Sequence, residues 1–333
     1  MASLDYPYPD TPAPGETIEV APGVRWLSMP LPFALDHINL WLIGDTIVDT
    51  GIGDPTTREL WDKLLFQKKI NRVILTHYHP DHAGNAAWLC NKFGAELWTT
   101  QGEYLTAHAV RSSSAGYTSE AVIDVFLKNG LDPARAAKML GRGNRYAAMV
   151  PDFPLSYRRI IGGDKVEIGG HEWHAFIGHG HAPEHLSLYC EALNVVIAGD
   201  MLLSTISTNV SVWSIDPQGD PLRLFLQSLK RYLELPEDVL VLPSHGKPFR
   251  GAHARVAALE AHHAAHFAKL VDALKDGPRS AGELLTVLFK RPLDAHQTFF
   301  AMGEAIAHLH YLYYAGRLKQ AKGEDGIMRY ASS

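Results

Sequence analysis

Residues 73–84 of the 333-residue chain read VILTHYHPDHAG, and this stretch gives the strongest indication of the fold. Its first three residues are an uninterrupted apolar run, which is typical of a buried strand. Residues two apart in an extended segment point the same way, so His77 and His79 can present their imidazoles to one point. The proline that follows stops the strand, and Asp81 and His82 come at the entry to the next helix. Four metal-capable side chains within six residues are difficult to explain as packing, because each would need a buried partner of its own.

Three later apolar runs end in the same kind of residue. They lead to GHGHAPEH at residues 178–185, GD at 199–200 and SHG at 244–246. In a layered fold the ends of neighbouring strands lie at one edge, so loops that are far apart in sequence converge there. We therefore expect metal-capable side chains of these three loops to join the first cluster.

Strand and helix signals alternate between residue 17 and residue 250, a pattern typical of an α/β fold. Residues 101–155 interrupt the alternation with helical material. Beyond residue 251 an Ala- and His-rich sequence predicts three helices and short strands, which is what a winged helix would need. The predicted organisation is an extended arm over 1–15, a catalytic domain over 16–250 and a C-terminal domain over 251–333. The elements predicted along the chain include helices over 55–68, 83–93 and 298–315 and a strand over 156–161.

The composition describes an ordinary soluble protein, with 46% hydrophobic residues, 20% charged residues and a formal net charge of −5. The hydrophobic share is above that of a disordered chain, and the charge balance argues against binding nucleic acid by bulk charge. Residues 252–333 hold 10 basic and 8 acidic residues, without a basic stripe on the long helix, which is weak for a DNA-binding domain. We expect a structural or dimerising role for this tail, whose apolar helices are compatible with a homodimer.

The cysteine count and the N-terminal sequence favour a cytoplasmic protein. Cys90 and Cys190 are the only cysteines, too few for a disulfide framework. No run of about 18 apolar residues occurs, so we expect no membrane span. The N-terminus lacks the basic start and apolar stretch of a secretory signal.

Histidine is unusually frequent, with 18 among 333 residues, and it binds metals or carries protons at neutral pH. Not every histidine is expected to serve chemistry. His262 and His266 share one face of a predicted helix, and such pairs can bind zinc. Without a third ligand, we interpret them as part of a solvated or interdomain surface.

HYHPDH at residues 77–82 is the H-x-H-x-D-H signature of the metallo-β-lactamase superfamily, and GHAPEH, AGD and PSHG resemble its later motifs in the usual order. The resemblance spans roughly residues 20–250. It implies an α/β, four-layer αββα metallo-β-lactamase fold with a helical insertion, and the tail looks like the winged-helix extension of one group of these hydrolases. Many true β-lactamases place Cys where this chain has Asp200, so the site resembles those of glyoxalase II, lactonases and thioesterases.

Seven positions match the ligands of that family. The resemblance assigns His77, His79 and His181 to one metal, Asp81, His82 and His245 to the second, and Asp200 as the bridge. His179 would be the ligand in an alternative register, but GHAPEH matches the family's spacing with His181. His185 then orients a ligand or contacts substrate. Catalytic roles fall to Asp81, Asp200 and His185.

Five imidazoles and two carboxylates form a nitrogen and oxygen set that suits Zn²⁺, while Fe and Mn are also compatible. Two such ions roughly 3.5–4 Å apart can share a water and lower its pKa toward about 7, which makes hydroxide at neutral pH. The chain has no G-x-S-x-G motif that would indicate a serine nucleophile. The hypothesis is therefore an enzyme with two Zn²⁺ ions per chain, which hydrolyses an ester-like carbonyl of a small molecule, such as a lactone or thioester.

Other activities use the same chemistry. A ribonuclease or phosphodiesterase is one, because a winged-helix tail accompanies nuclease activity in some relatives, but residues 1–251 hold 21 basic against 28 acidic residues. Hydrolytic removal of halide from an activated aromatic ring is another. A binding module without activity is disfavoured because all seven ligand positions are filled. Aromatic residues of the insertion, such as Tyr104, Tyr146 and Phe153, either cover a substrate or pack the insertion's own helices.

Overall fold

The computed structural model describes residues 4–32, 35–140 and 143–333. The first three residues of the predicted arm and residues 141–142 of the predicted insertion lie outside the described residues. The chain divides into two units. Unit 1 comprises Met1–Ser112, Tyr146–Thr208 and Ser228–Val256, and unit 2 comprises Ser113–Arg145, Asn209–Gln227 and Ala257–Ser333.

The first sheet of unit 1 has seven strands among the described residues, side by side in chain order. They are β1 (Thr17–Ala21), β2 (Val24–Pro30), β3 (His37–Ile43), β4 (Thr46–Val48), β5 (Arg72–Ile74), β6 (Glu96–Thr99) and β7 (Arg158–Arg159). The first four pair antiparallel, whereas β4 to β7 run parallel. Parallel neighbours need crossovers. These are α1 (Pro55–Leu64) between β4 and β5, and α2 (Pro80–Ala83) and α3 (Ala86–Phe93) between β5 and β6.

The second sheet has five strands within the described ranges, in the order β12-β11-β10-β9-β8. They are β8 (Lys165–Ile168), β9 (His171–Gly178), β10 (His185–Cys190), β11 (Val195–Gly199) and β12 (Leu240–Pro243). β11 and β12 are parallel and the other pairs are antiparallel. As a result β9, β11 and β12 all run the same way and end at one edge of the sheet.

A shared apolar core joins the two sheets of unit 1. Trp26 and Trp41 of the first sheet lie in one buried cluster with Leu188 and Leu242 of the second. The other face of the first sheet buries residues of α1 and α3. A 3₁₀ helix at Lys230–Glu234 places Tyr232 against Phe176 of β9, with ring centroids 5.3 Å apart. Unit 1 therefore has the helix, sheet, sheet, helix layering that the motifs predict.

The remaining elements are mostly helical. They are α4 (Gln101–Arg111), α5 (Ser119–Lys128), α6 (Pro133–Leu140), α7 (Arg145–Met149), α8 (Pro221–Leu229), α9 (Ala252–Ala273), α10 (Ala281–Leu288), α11 (Ala295–Tyr314) and the hairpin β13 (Leu318–Lys322) with β14 (Met328–Ser332). The predicted order of three helices followed by strands in the tail is observed. No helix in the described part of the chain is long and apolar enough to cross a membrane.

Some element boundaries differ from the predictions for local reasons. The helix predicted over 83–93 is observed as α3, preceded by the short α2, and the interruption lies at Asn85, which has a non-helical φ of −108° and donates its side-chain amide to the Thr50 and Ile52 carbonyls. The last long helix begins at Ala295, three residues earlier than predicted, because Asp294 and Gln297 form a capping box. The strand predicted over 156–161 pairs only at Arg158–Arg159.

Leu188 lies at the centre of the core between the sheets and is fully buried. We expect Leu188→Ala to lower the free energy of unfolding by about 2–5 kcal/mol, because it removes buried methyl groups and leaves a cavity. Leu155, which is 93% exposed, provides the matched control, and Leu155→Ala should stay within about 0.5 kcal/mol of the parent. Urea unfolding followed by far-UV circular dichroism measures both, and equal midpoints for the two variants would contradict the assigned core.

Candidate metal centre

The predicted site residues follow strand ends that meet at one edge of unit 1. Asp200 comes directly after β11, and the other motif loops follow β5, β9 and β12. Backbone hydrogen bonds fasten these loops to one another. The Leu186 N–H donates to the Thr76 carbonyl at 2.8 Å, and the Ser244 N–H donates to the Gly199 carbonyl at 3.1 Å. The structure thus brings together loops from both sheets, as the strand-end argument predicts.

The first cluster consists of His77, His79, His181 and Asp200, with one potential ligand atom from each within 4.8 Å of the others. The Nε2 atom of His77 lies 3.0 Å from Nδ1 of His79 and 3.2 Å from Nε2 of His181. An oxygen of Asp200 lies 3.5 Å from the same His181 nitrogen. His77 and His181 are buried, and His79 is partly exposed. The four side chains therefore surround a single point that is largely shielded from solvent.

The second cluster consists of Asp81, His82 and His245, again within 4.8 Å of one another. The Nε2 atom of His245 lies 3.3 Å from Oδ2 of Asp81, and that of His82 lies 3.7 Å from the same oxygen. Oδ1 of Asp200 lies 3.6 Å from His82 and 3.7 Å from His245, while its Oδ2 faces the first cluster. The Asp200 carboxylate thus turns one oxygen toward each cluster.

The first cluster favours a cation because the imidazoles of His77 and His79 are neutral. Burial lowers the pKa of His77 and of His79 well below the usual value, and the neighbouring histidines lower it further. Neutral imidazole is the form that binds metal ions.

Two polar atoms that face the second cluster have no partner: Nε2 of His82 and Oδ1 of Asp200 are buried without hydrogen bonds among the described residues. A bound cation would satisfy such atoms, so the residues present fit a metal site.

The second cluster carries the negative charge of the site. Burial lowers the pKa of His82, but Asp49, Asp81 and Asp200 outweigh it and raise that pKa to about 10. Burial raises the pKa of Asp81, but the facing His82 and His245 outweigh burial and hold that pKa below its usual value. The carboxylates therefore stabilise a positive charge between them, such as the proton on His82. A divalent cation is the natural replacement for that proton.

Asp49 orients His82 and was not predicted from the sequence. Its Oδ2 lies 2.8 Å from Nδ1 of His82, and its two oxygens also accept the Thr76 N–H and hydroxyl at 2.8 Å. The residue is fully buried and has a left-handed φ of 60°. An acceptor at Nδ1 leaves Nε2 to face the cluster. The available signal was that Asp49 directly follows the apolar strand β4, the same position that marks the predicted ligands.

Glu103 ties two motif loops together and was also missed. One carboxylate oxygen accepts the Tyr78 N–H at 2.9 Å and the other accepts the Glu184 N–H at 2.6 Å. The side chain is buried, and this burial raises its pKa to about 8 although both hydrogen bonds act to lower it. Glu103 lies in the first turn of α4, where an acidic residue is common. Nothing in its sequence context distinguishes it from an ordinary helix-start residue.

His185 and its neighbour Gly199 fix the position of Asp200. The His185 ring is fully buried, and its Nε2 accepts the Asp200 backbone N–H at 3.1 Å. Gly199 has a left-handed φ of 54°, and a Cβ there would lie 2.4 Å from the His185 ring. A side chain at Gly199 would therefore displace the ring. His179 lies outside both clusters, with its Nδ1 2.6 Å from the Pro183 carbonyl oxygen.

Several aromatic residues of the insertion pack locally. The Tyr146 hydroxyl donates to the Tyr78 carbonyl at 2.6 Å, and Tyr104 stacks on Tyr157 with ring centroids 3.9 Å apart. Phe153 is only 3% exposed. In unit 2, Phe126 and Trp213 contact one ring, with centroids 5.5 and 5.7 Å from that of Phe299. These are packing contacts, but most of them reach residues outside the insertion and not the insertion's own helices.

Asp49→Asn tests the orienting role of Asp49, because asparagine has one accepting oxygen, whereas Asp49 uses one oxygen for the Thr76 N–H and the other for Nδ1 of His82. Loss of such an outer partner typically weakens metal affinity or activity by about 10–100-fold, and we expect a loss in that range. Competition for zinc with a coloured chelator measures it. Asp45→Asn is the control, since the Asp45 carboxylate contacts Asn71 and no histidine. Equal affinities of the two variants would contradict the role assigned to Asp49.

Comparison with known proteins identifies the family. The model of the metallo-beta-lactamase superfamily matches residues 35–245, and that of the metallo-beta-lactamase-like C-terminal domain matches residues 267–333. A probable metallo-hydrolase of Bacillus subtilis is 24% identical over 303 residues, which cover 86% of this chain and 91% of that protein.

Two solved structures are similar over nearly the whole chain. A beta-lactamase domain protein from Burkholderia ambifaria is 46% identical, covers 99% of this chain and 98% of its own, and has a TM-score of 0.93. A metallo-beta-lactamase family protein from Thermus thermophilus is 29% identical, covers 95% of this chain and 100% of its own, and has a TM-score of 0.79. The chain therefore belongs to the metallo-beta-lactamase superfamily, and it is a metallo-hydrolase with an additional C-terminal domain.

Proposed function

We propose that the chain binds two divalent cations, with Zn²⁺ as the preferred metal, and hydrolyses an ester-like carbonyl of a small molecule such as a lactone or thioester. The observation that carries this proposal is the Asp200 carboxylate, which turns one oxygen toward each of two histidine clusters. A carboxylate in that position suits two ions that share one ligand. The nitrogen and oxygen donors around it, without a thiolate, are those that zinc accepts.

The two clusters divide the proposed ligands between them. We assign His77, His79 and His181 to one ion, Asp81, His82 and His245 to the other, and Asp200 to both. The chemistry that such ions supply when bound is Lewis acidity, which lowers the pKa of water and polarises a carbonyl.

The protein's own contribution is orientation and charge. The side chains of Asp81 and Asp200 are 16% and 11% exposed, whereas that of His82 is fully buried. We therefore assign to Asp81 and Asp200 both metal binding and contact with the reactants, and to His82 metal binding alone. His185 is fully buried, so it serves by holding the Asp200 backbone and does not touch substrate. Asp49 and Glu103 keep the loops in place while charge changes at the site.

Asp200 also supports the substrate class. It is an aspartate where many true β-lactamases carry cysteine, and this resembles the glyoxalase II, lactonase and thioesterase branches. Phosphodiesters and activated haloaromatics remain within reach of the same chemistry, and they serve as the competing arms of the experiment below.

The tail and the location complete the proposal. We propose a catalytic domain over 16–250, preceded by an extended arm, and a winged-helix-like domain over 251–333, supported by α9, α10 and α11 followed by the β13–β14 hairpin. A structural or dimerising role suits this domain better than nucleic-acid binding, given its balanced charge. The buried, unpaired thiols of Cys90 and Cys190 suit the reducing cytoplasm.

The decisive experiment combines metal analysis with a substrate panel of lactones, thioesters, phosphodiesters and haloaromatics, each with and without a chelator. We expect stoichiometric zinc, ester or thioester hydrolysis that the chelator abolishes, and recovery when zinc is restored. His79→Ala should lower this hydrolysis about 100-fold or more, since loss of a ligand should exceed the roughly 10–100-fold effect of losing an outer partner. His171→Ala is the control, because His171 lies on β9 outside both clusters.

Two results would overturn the proposal. One is a purified protein that holds no stoichiometric transition metal under any loading condition. The other is hydrolysis that His79→Ala leaves unchanged. Turnover of only the phosphodiester or only the haloaromatic would refute the ester-like substrate while leaving the metal centre in place.

A further inference from the structure

A second group of histidines lies in unit 2, apart from the residues assigned above. Helix α9 contributes three of its members and helix α11 contributes two. They are His262, His263 and His266 together with Glu304 and His308. Sequence reasoning interpreted the pair His262 and His266 as a solvated or interdomain surface because no third ligand was evident. The structure instead places His266 and His263 in the interior, at 8% and 1% exposure.

Glu304 supplies the missing third ligand. His262 and His266 are one turn apart on α9, with ring centroids 4.3 Å from each other. A ligand atom of each, together with a carboxylate oxygen of Glu304, lies within 4.8 Å of the others. Glu304 is the only acidic residue on the 20-residue helix α11, which otherwise consists of uncharged and histidine side chains. Its position opposite two histidines of another helix therefore calls for a specific explanation.

Unsatisfied polar atoms in the same place point to a ligand. Nδ1 of His266 and Nε2 of His263 are buried without hydrogen-bond partners among the residues that the structure describes. A histidine cluster that served only packing would be expected to pair such atoms, because an unpaired buried polar group costs about 1–3 kcal/mol. The Glu304 carboxylate itself has a long contact with the amide of Asn209, at 3.4 Å. It therefore keeps capacity to bind a further partner.

The neighbouring residues hold this group in place. Nδ1 of His308 lies 2.8 Å from the Glu304 backbone carbonyl, and its Nε2 lies 3.1 Å from Nδ1 of His263. The rings of His308 and His266 have centroids 5.3 Å apart. These contacts connect both helices on the inner side of the group, as outer partners do around metal ligands.

The charge states suit a cation. Burial lowers the pKa of His266 to about 4, so its imidazole is neutral at neutral pH and available as a ligand. Burial raises the pKa of Glu304 to about 7, although the Asn209 hydrogen bond acts to lower it. Ionising this carboxylate without a compensating charge is therefore costly, and a cation at the same point offsets that cost.

We propose that His262, His266 and Glu304 form a third divalent-cation site, which binds Zn²⁺ and links α9 to α11 within unit 2. Two imidazoles and one carboxylate are a ligand set that zinc accepts, with the fourth position left to water. The site is independent of the proposed dinuclear centre, because its ligands belong to unit 2 and those of the centre belong to unit 1.

The test counts zinc in the untagged full-length chain after saturation and removal of excess metal. We expect Glu304→Gln and His266→Ala each to bind one zinc ion fewer per chain than the parent protein. Glu260→Gln makes the same chemical change at an exposed position on α9 and should leave the count unchanged, as should His253→Ala. Because the comparison is a difference of one ion, it holds whatever the occupancy of the dinuclear centre.

A second measurement separates this site from the proposed catalytic centre. In a chain with His77→Ala, His79→Ala and His82→Ala together, one zinc ion should remain and should raise the melting temperature. Adding Glu304→Gln should remove both effects, and circular dichroism establishes that this near-isosteric variant is folded if His266→Ala is not. Equal zinc content in the parent and Glu304→Gln chains would overturn the site, as would a melting temperature of the triple variant that zinc does not change.

Discussion

The nitrogens of His77, His79 and His181 face one another at 3.0 and 3.2 Å at a buried point, and holding them there is the constraint that the strands and loops of unit 1 have to meet. As metal ligands these nitrogens would all present lone pairs to one point, where they repel one another unless a positive charge or a constraint from outside holds them there. The constraint comes from strands whose ends are fixed by a continuous apolar core. Burial of that core stabilises a sheet edge that, as an isolated loop, would turn its polar groups to water.

Two buried carboxylates hold the residues of the site in position at the ends of the strands. Asp49 joins the end of β4 to His82 and to the loop after β5, and Glu103 joins that loop to the one before β10. Neither belongs to the clusters that face the metal point. The site therefore has an inner set of residues that bind and an outer set that aim them. The outer set acts in two ways: the Asp49 contact at Nδ1 leaves Nε2 of His82 to turn inward, and the Glu103 contacts hold the two loops through the Tyr78 and Glu184 N–H groups.

The parts of the site that the sequence predicts are those whose residues recur at a fixed spacing or at the same position after a strand. His77 and His79 are two apart after a strand, and the later motifs repeat the same position, so periodicity and strand ends indicate that these loops converge, whereas the choice of His181 within 178–185 rests on the family resemblance. Asp49 shares the position after a strand but has no partner in sequence, and Glu103 and Glu304 are single acidic residues in helices. Their importance arises from contacts with residues 25 or more positions away, or on another helix, which no local pattern encodes.

The same distinction holds for the fold. Apolar runs predict the strands of both sheets, because a strand buried on both faces has few alternatives. The break between α2 and α3 is not predicted, since it lies at Asn85, whose amide donates to the Thr50 and Ile52 carbonyls, and no local pattern encodes contacts with residues more than 30 positions away. The observed start of α11 precedes the predicted one, and it lies at the capping box that Asp294 and Gln297 form. Such a cap is a local pattern that a sequence can show, whereas the contact of two distant segments is not.

The proposed metal ligands come from loops of both sheets, and this affects how long the protein persists in a cell. One loop follows β5 of the first sheet and the others follow strands of the second, so an ion bound between them fastens the two sheets at one edge. A ligand that binds only the folded state adds about 4.1 kcal/mol at a thousand times its dissociation constant. Such an increment is a large share of the stability of a typical domain. The metal supply would then govern how long the chain survives cellular proteases, and starvation for the metal would reduce its abundance as well as its activity.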